Sequence, residues 1–93
     1  MNTTPSWVLD SDRLRESLAE WHSTKPSVQH KSYVNKFLMD LMALGPFECG
    51  ELDEESGSFS GIAGNVVGSM IVIAYVADFD RLRIAVTGIT LAG

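Results

Sequence analysis

The sequence has few of the features that would place a protein outside the cytoplasm. Cys49 is the only cysteine among 93 residues, which excludes an intrachain disulfide. The longest nearly apolar run, residues 70–77, is far too short to span a bilayer. The first residues lack the basic segment and apolar run of a secretory signal peptide. These absences predict a soluble, cytoplasmic protein.

Basic side chains are also scarce, with seven against twelve acidic ones and a formal net charge of −5. A surface that binds nucleic acid needs basic groups to neutralise phosphates, and so does a surface that binds anionic lipid. We therefore expect neither nucleic acid nor a membrane as a partner. The 45% of hydrophobic residues predicts one folded domain, residues 1–93, with a modest core.

Two helices are predicted in the first half of the chain. Asp10 or Ser11 can cap the first helix, in which apolar residues recur at helical spacing and which ends before Pro26. The second begins near Ser27 and ends at Gly45-Pro46. The apolar stripes are Leu14, Leu18 and Trp21 in the first helix, and Val34, Phe37, Leu38, Leu41 and Met42 in the second. The preceding residues 7–9 predict a short strand or a strap across the core.

Residues 47–58 are rich in acidic side chains and predict a solvated loop. They include Glu48, Glu51, Asp53, Glu54 and Glu55. These carboxylates lack the alternation of ligands and the glycine of a calcium loop. The loop over residues 48–55 is instead a possible contact for a basic protein partner.

From Phe59 onward the composition indicates a mainly antiparallel sheet, so the fold class predicted is α+β. We expect strands over 59–63, 66–77 and 82–91, with a turn at Gly64-Asn65 and a hairpin over 78–81. Pairing of Ala77 with Leu82 then gives the sheet two apolar faces. The first carries Ile71, Ile73, Tyr75, Leu82, Ile84 and Val86, and should lie under the helices.

The second face is predicted to be an interface, because a solvent-facing strand should alternate with polar residues and this one does not. Its apolar members are Met70, Val72, Ala74, Val76, Ala85 and Ile89. Either a second copy of the chain, in a homodimer, or residues 1–9 would cover it.

No catalytic, cofactor-binding or metal-binding motif is found in the sequence. His22 and His30 lack metal-ligand spacing, and acidic neighbours should raise the pKa of Cys49. The glycines form no phosphate-binding loop, and Arg81 and Arg83 are expected to be neutralised by Asp78 and Asp80 at the hairpin. We predict neither a catalytic residue nor a cofactor. A small-ligand pocket between helices and sheet is an alternative, lined by Trp21, Phe37, Tyr75 and Met70.

Several segments together resemble the RelE/ParE toxin family. They are Leu38-Met39-Asp40-Leu41, Gly45-Pro46, the strand from Gly68 to Val76, and Arg83-Ile84-Ala85-Val86. The resemblance implies two helices followed by an antiparallel hairpin. The sequence departs from the family at Val72, where an arginine is expected, and in the C-terminal Thr90-Leu91-Ala92-Gly93, which lacks basic or aromatic residues. The resemblance thus implies the fold and argues against the nuclease activity.

Three functional hypotheses follow. The leading one is a non-enzymatic interaction module that forms a homodimer through the second sheet face. The alternatives are a RelE/ParE-like toxin, or an inactive relative of one, and a small-ligand-binding domain. Growth arrest on induction in bacteria would favour the toxin, and a thermal-shift screen would favour the ligand-binding domain.

Overall fold

The computed structural model describes residues 6–92, in which the helices precede all but the first strand of a five-stranded mixed sheet and pack on one side of it. This confirms the predicted α+β fold. The elements are β1 (Val8–Leu9), α1 (Ser11–Ser23), α2 (Val28–Leu44), α3 (Pro46–Cys49), β2 (Glu51–Asp53), β3 (Ser58–Val66), β4 (Ser69–Asp78) and β5 (Arg83–Ala92). The strand order is β1-β5-β4-β3-β2, and only β1 and β5 pair in parallel. None of the described helices is long and apolar enough to cross a membrane.

Both long helices begin where the sequence predicts, and Asp10, one of the two predicted caps, caps the first. The Asp10 carboxylate accepts hydrogen bonds from the backbone N–H groups of Asp12 and Arg13, each at 3.1 Å. Ser27 and His30 form a capping box, in which each side chain bonds the backbone N–H of the other residue. These bonds satisfy donors that the first helical turn leaves unpaired.

The core lies between the two long helices and one face of the sheet. α1 packs on β5 and α2 packs on β3. The predicted stripe of α2 is buried at Val34, Phe37, Leu38 and Leu41, whereas Met42 is 37% exposed. The predicted inner face of the sheet is confirmed for Ile71, Ile73, Tyr75, Ile84 and Val86, all of which are 0% exposed. Leu82 does not belong to it, because this residue lies in the turn after β4.

The N-terminal segment extends the sheet at its edge. Val8 pairs with Arg83 and Leu9 pairs with Ile84. Trp7 lies on the helical side, where its indole ring packs so closely on Gly45 that an added methyl group there would come within 2.7 Å of Nε1. Within the described residues 6–9, the segment therefore does not cover the second sheet face. Residues 1–5, the rest of the predicted strap, lie outside the described range.

The acidic connection is more ordered than a solvated loop. Residues 46–49 form the short α3 and residues 51–53 form β2, which pairs with Ser58–Ser60 of β3. Charged residues are common on edge strands, where they oppose further pairing, so the charge run did not exclude a strand. The loop prediction holds only for the turn over 54–57.

The turn between β3 and β4 falls at Val67-Gly68, so the predicted turn at Gly64-Asn65 is wrong. Both turn residues have positive φ, 50° for Val67 and 81° for Gly68. Such a two-residue turn matches the twist of a hairpin but disfavours a β-branched residue. Gly64 and Asn65 lie within β3, next to a bulge between Ile62 and Gly64.

The register of β4 with β5 differs from the predicted one by two residues. Ala77 pairs with Ile84 and Tyr75 with Val86, and a shift of two leaves every side chain on its predicted face. A bulge at Thr87-Gly88 then adds one residue and reverses the alternation. Ile89 consequently pairs with Ile73 and is only 7% exposed in the core. Its assignment to the second face is therefore wrong.

Candidate functional site

The face of the sheet opposite the helices, called the outer face here, carries a patch of apolar side chains. Its position follows from the strand alternation, since each of these residues neighbours one that points into the core. The apolar members are Ile62 on β3, Met70, Val72, Ala74 and Val76 on β4, and Ala85 on β5. Apart from Ile89, the residues predicted for the second face thus lie together, and Ile62 is an addition.

No residue between 6 and 92 covers the outer face. Ile62 is 59% exposed, Met70 and Val76 are each 37% exposed, and the other members are half-buried by neighbouring strands. Both long helices pack on the opposite side. On an antiparallel strand that faces only water, apolar residues are expected to be replaced by polar ones at these positions.

Charged groups of opposite sign flank this patch at its two edges. Arg83 of β5 lies on the outer face beside β1, because its neighbour Ile84 points into the core. Glu51 and Asp53 lie on the same face at the β2 edge, since they pair with Ser60 and Ser58 on either side of the buried Phe59. One edge of the patch therefore carries Arg83, whose cross-strand neighbour is Asp78, and the other edge carries two carboxylates.

The predicted small-ligand pocket is filled by the protein's own core. Trp21, Phe37 and Tyr75 are buried, and the rings of Phe37 and Tyr75 meet edge to face at 6.1 Å. Met70 lies on the outer face, on the other side of β4. These four residues do not line one cavity, because β4 places Met70 and Tyr75 on opposite faces.

Cys49 lies beside a surface depression at the point where β2 begins, next to Gly61. Burial raises the pKa of its thiol, and the carboxylates of Asp40 and Glu48 raise it further. Reactive cysteines depend on the opposite shift, which favours the thiolate. The surroundings of Cys49 thus suit an unreactive thiol.

The two histidines are not brought together as a site. His30 belongs to the capping box of α2, and its ring lies edge to face against Trp21 at 6.2 Å. His22 is exposed in the last turn of α1. Between residues 6 and 92, no three His, Cys, Asp or Glu side chains are close enough to hold a metal ion.

An exposed aromatic cluster at one end of the sheet was not anticipated from the sequence. Phe47 of α3 stacks on Phe79 of the β4–β5 turn, with ring centroids 5.6 Å apart and planes 28° apart. Phe79 also meets Trp7 edge to face at 5.5 Å, and Phe47 meets Phe59 at 5.1 Å. Three separate connections supply these rings, and no periodic pattern in the sequence links them. The name aromatic cluster refers to Trp7, Phe47 and Phe79.

The turn that carries Phe79 is shaped by an aspartate. Asp78 Oδ1 accepts hydrogen bonds from the backbone N–H groups of Asp80 and Arg81, at 3.1 and 3.2 Å. The Asp78 carboxylate also lies 4.0 Å from the Arg81 guanidinium, which confirms the expected ion pair for Arg81. Arg83 forms no salt bridge with a residue between 6 and 92, so the expectation is not confirmed for it. The exposed turn is thus held by local bonds and presents the Phe79 ring toward Phe47.

Comparison of the chain with protein-family models, with curated proteins and with solved structures gave no match. The resemblance to the RelE/ParE family therefore stays a prediction from the quoted residues.

Proposed function

We propose that this protein is a non-enzymatic interaction module that forms a homodimer through its outer face. The observation that supports the proposal is the apolar row on β4, which faces away from both helices and which no residue between 6 and 92 covers. The second copy is the occupant that we propose, because one self-complementary patch then serves both subunits.

The free energy of such a contact depends on the apolar area that it buries. Apolar burial contributes about 25 cal/mol per Å², and stable dimers commonly bury about 800 Å² per subunit. Part of this gain is offset by the entropy of association. The side chains involved are mostly Val and Ala, which lose little conformational freedom when they are buried.

The charges at the two edges favour one arrangement of the dimer. A two-fold axis parallel to the strands lays the β5 edge of one copy over the β2 edge of the other. Arg83 then lies near the partner's Asp53, with an offset of about two residues along the strand direction. The same contact occurs twice by symmetry, and opposite charges at a rim fix the register of the two copies.

A charge placed in the centre of the patch tests the dimer. Val72→Lys would bury an unpaired ammonium group in the contact, so the variant should sediment as a monomer under conditions in which the wild type sediments as a dimer. Val28→Lys is the matched control, because Val28 is 82% exposed at the start of α2 and lies far from the outer face. Both variants should retain the wild-type far-ultraviolet circular dichroism spectrum.

A wild-type protein that sediments as a monomer at about 100 µM would overturn the proposal, since the contact would then be weaker than about 5 kcal/mol. An equal loss of dimer in Val28→Lys would show that the added charge acts through the whole molecule and not through the outer face.

Exchange of the edge charges tests the two-fold arrangement. Arg83→Glu and Asp53→Arg each put like charges together in their own homodimers, so each alone should dimerise several-fold more weakly. In an equimolar mixture, the heterodimer of the two variants has only attractive charge pairs. Dimerisation of the mixture should therefore return toward the wild-type level. If the mixture associates no better than either variant alone, the strands are not arranged in this way.

A RelE/ParE-like toxin, or an inactive relative, is our second proposal. What supports it is the layout of two helices beside an antiparallel hairpin, as the resemblance implies. Growth arrest on induction in a bacterial host would support a toxin, and normal growth with soluble expression would oppose an active one. The small-ligand hypothesis has no comparable support, because its predicted lining is packed in the core.

A further inference from the structure

We propose that the aromatic cluster is a docking site for an arginine-bearing segment of a basic protein. This site goes beyond the proposed homodimer and does not depend on it. Phe47 and Phe79 contact the core residue Phe59 on the helical side of the sheet, whereas the outer face lies on the other side.

The first argument is the exposure of the two stacked rings. Phe47 is 62% exposed and Phe79 is 50% exposed, although both lie against other aromatic side chains. Aromatic residues are enriched in protein interfaces because a large rigid side chain gives contact area at a small entropic cost. The two rings stack on each other, and each also contacts a further aromatic ring, so the cluster is formed without a partner.

The second argument is the charge that surrounds the cluster. Phe47 is followed by Glu48, and Phe79 lies between Asp78 and Asp80. Phe59 pairs with Tyr75, so the antiparallel strands place the acidic turn over 54–57 at the same end of the sheet as the turn that carries Phe79. Two exposed phenylalanines therefore lie at an end of the molecule where carboxylates are concentrated.

The charge is unevenly divided along the chain. Residues 10–44, which include both long helices, contain five acidic and five basic side chains. Residues 45–92 contain seven acidic and two basic side chains and carry the whole net charge of −5. The two basic residues lie at the same end of the sheet, Arg81 beside Asp78 in the turn and Arg83 opposite Asp78 on the outer face, so carboxylates still outnumber them there.

These observations favour a cationic polypeptide over other occupants. Nucleic acids and anionic lipids would be repelled by the carboxylates. A second copy docked at this end would bring two acidic surfaces together, at an electrostatic cost. Arginine fits better than lysine, because the planar guanidinium can stack on an aromatic ring while it bonds a carboxylate with two parallel hydrogen bonds.

The test uses three fluorescein-labelled octapeptides, (Gly-Arg)4, (Gly-Lys)4 and (Gly-Glu)4, titrated with the full chain at about 150 mM salt. Fluorescence anisotropy should show saturable binding of the arginine peptide below about 1 mM, weaker binding of the lysine peptide and none of the glutamate peptide. Phe47→Leu and Phe79→Leu keep an apolar side chain but remove the aromatic ring. Each should lower the affinity for the arginine peptide about two- to fivefold, as expected for loss of one exposed cation–π contact.

Two charge variants distinguish an effect of the aromatic cluster on peptide binding from an effect of the net charge. Asp80→Asn and Glu16→Gln remove the same charge, but Glu16 lies on α1, away from the cluster. Only Asp80→Asn should weaken the arginine peptide. Equal weakening by both variants, equal binding of the arginine and lysine peptides, or an unchanged affinity in both leucine variants would overturn the proposal.

The leucine variants must also be shown to be folded, by far-ultraviolet circular dichroism and thermal unfolding. Sedimentation of the same two variants tests the alternative occupant. If they lose a dimer that the wild type forms, the cluster is a contact between copies of this chain and the proposal of a cationic partner fails.

Discussion

The hydroxyl of Tyr75 donates a 2.7 Å hydrogen bond to the carbonyl oxygen of Pro46, across 29 residues of sequence. The bond joins the middle of β4 to the first residue of α3, and both residues are buried. The neighbourhood is tight, because a methyl group added at Gly50 would come within 2.5 Å of the Tyr75 hydroxyl. This contact fixes the chain where it leaves α2 and turns back toward the sheet.

The same burial gives Tyr75 a measurable effect at high pH. Burial raises the pKa of Tyr75 to about 12, with a smaller contribution from Cys49. The unfolded chain loses this proton near pH 10 while the folded chain keeps it, so stability should fall as pH rises from about 10 toward 12. The slope from this residue is about 1.4 kcal/mol per pH unit. Below pH 10 the residue contributes no pH dependence.

Tyr75→Phe is the control, because other groups also titrate in this range. The variant's free energy of unfolding should be about 1–3 kcal/mol lower near pH 7, because the buried Pro46 carbonyl is left without its hydrogen-bond donor. Urea unfolding at several pH values should then show a shallower decline above pH 10 than in the wild type. Parallel declines in the two proteins would contradict the assignment.

The packing of α2 can be tested with two leucines of the same helix. Leu38 is 7% exposed in the core, whereas Leu44 is 58% exposed. Leu38→Ala should lower the free energy of unfolding by about 2–5 kcal/mol, through lost apolar burial and a residual cavity. Leu44→Ala should change it by less than about 1 kcal/mol. Similar values for the two variants in urea unfolding would show that this face of α2 is not the buried one.

The connection before β2 lies so close to β3 that position 61 requires a glycine. A Cβ atom there would collide with the carbonyl oxygen of Cys49 and would lie 2.6 Å from Cζ of Phe37. Gly61→Ala should therefore cost about 1–3 kcal/mol through overpacking. Gly88→Ala is the matched control, because nothing lies within 4 Å of its added Cβ. Thermal unfolding of both proteins measures the difference, and equal midpoints would contradict the clash.

The helices and the inner face could be predicted because their signals are local. The spacing of Phe37, Leu38 and Leu41, and the cap residue Ser27, act within a few turns of one helix. The alternation along β4 likewise determined its two faces even though the hairpin register was two residues off. Local patterns of this kind survive small errors in the position of a turn.

The remaining features depend on contacts between distant segments. The bulge at Thr87-Gly88 moved Ile89 into the core. Gly88 was its only local signal, since a glycine inside a strand often marks a bulge. The aromatic cluster was missed for a related reason, since Phe47 and Phe79 meet only after the chain has folded. Part of the outer patch was predictable, but Ile62 joined it through the pairing of β3 with β4.

The turn at Val67-Gly68 offers a stabilising substitution. Val67 has a φ of 50° and is 98% exposed, so a β-branched side chain occupies a left-handed conformation without any burial to compensate. Asparagine tolerates this conformation, and Asn-Gly is the preferred pair for a two-residue hairpin turn. Val67→Asn should therefore raise the free energy of unfolding by about 0.5–1.5 kcal/mol.

Val67→Ala separates relief of backbone strain from simple removal of an exposed apolar side chain. Alanine lacks the β-branch but has no preference for positive φ. The free energy of unfolding should therefore rise less in Val67→Ala than in Val67→Asn. Urea unfolding of the three proteins at one pH measures both differences. If the asparagine variant is no more stable than the alanine variant, the left-handed conformation of Val67 is not a source of strain, and the hairpin tolerates valine there for another reason.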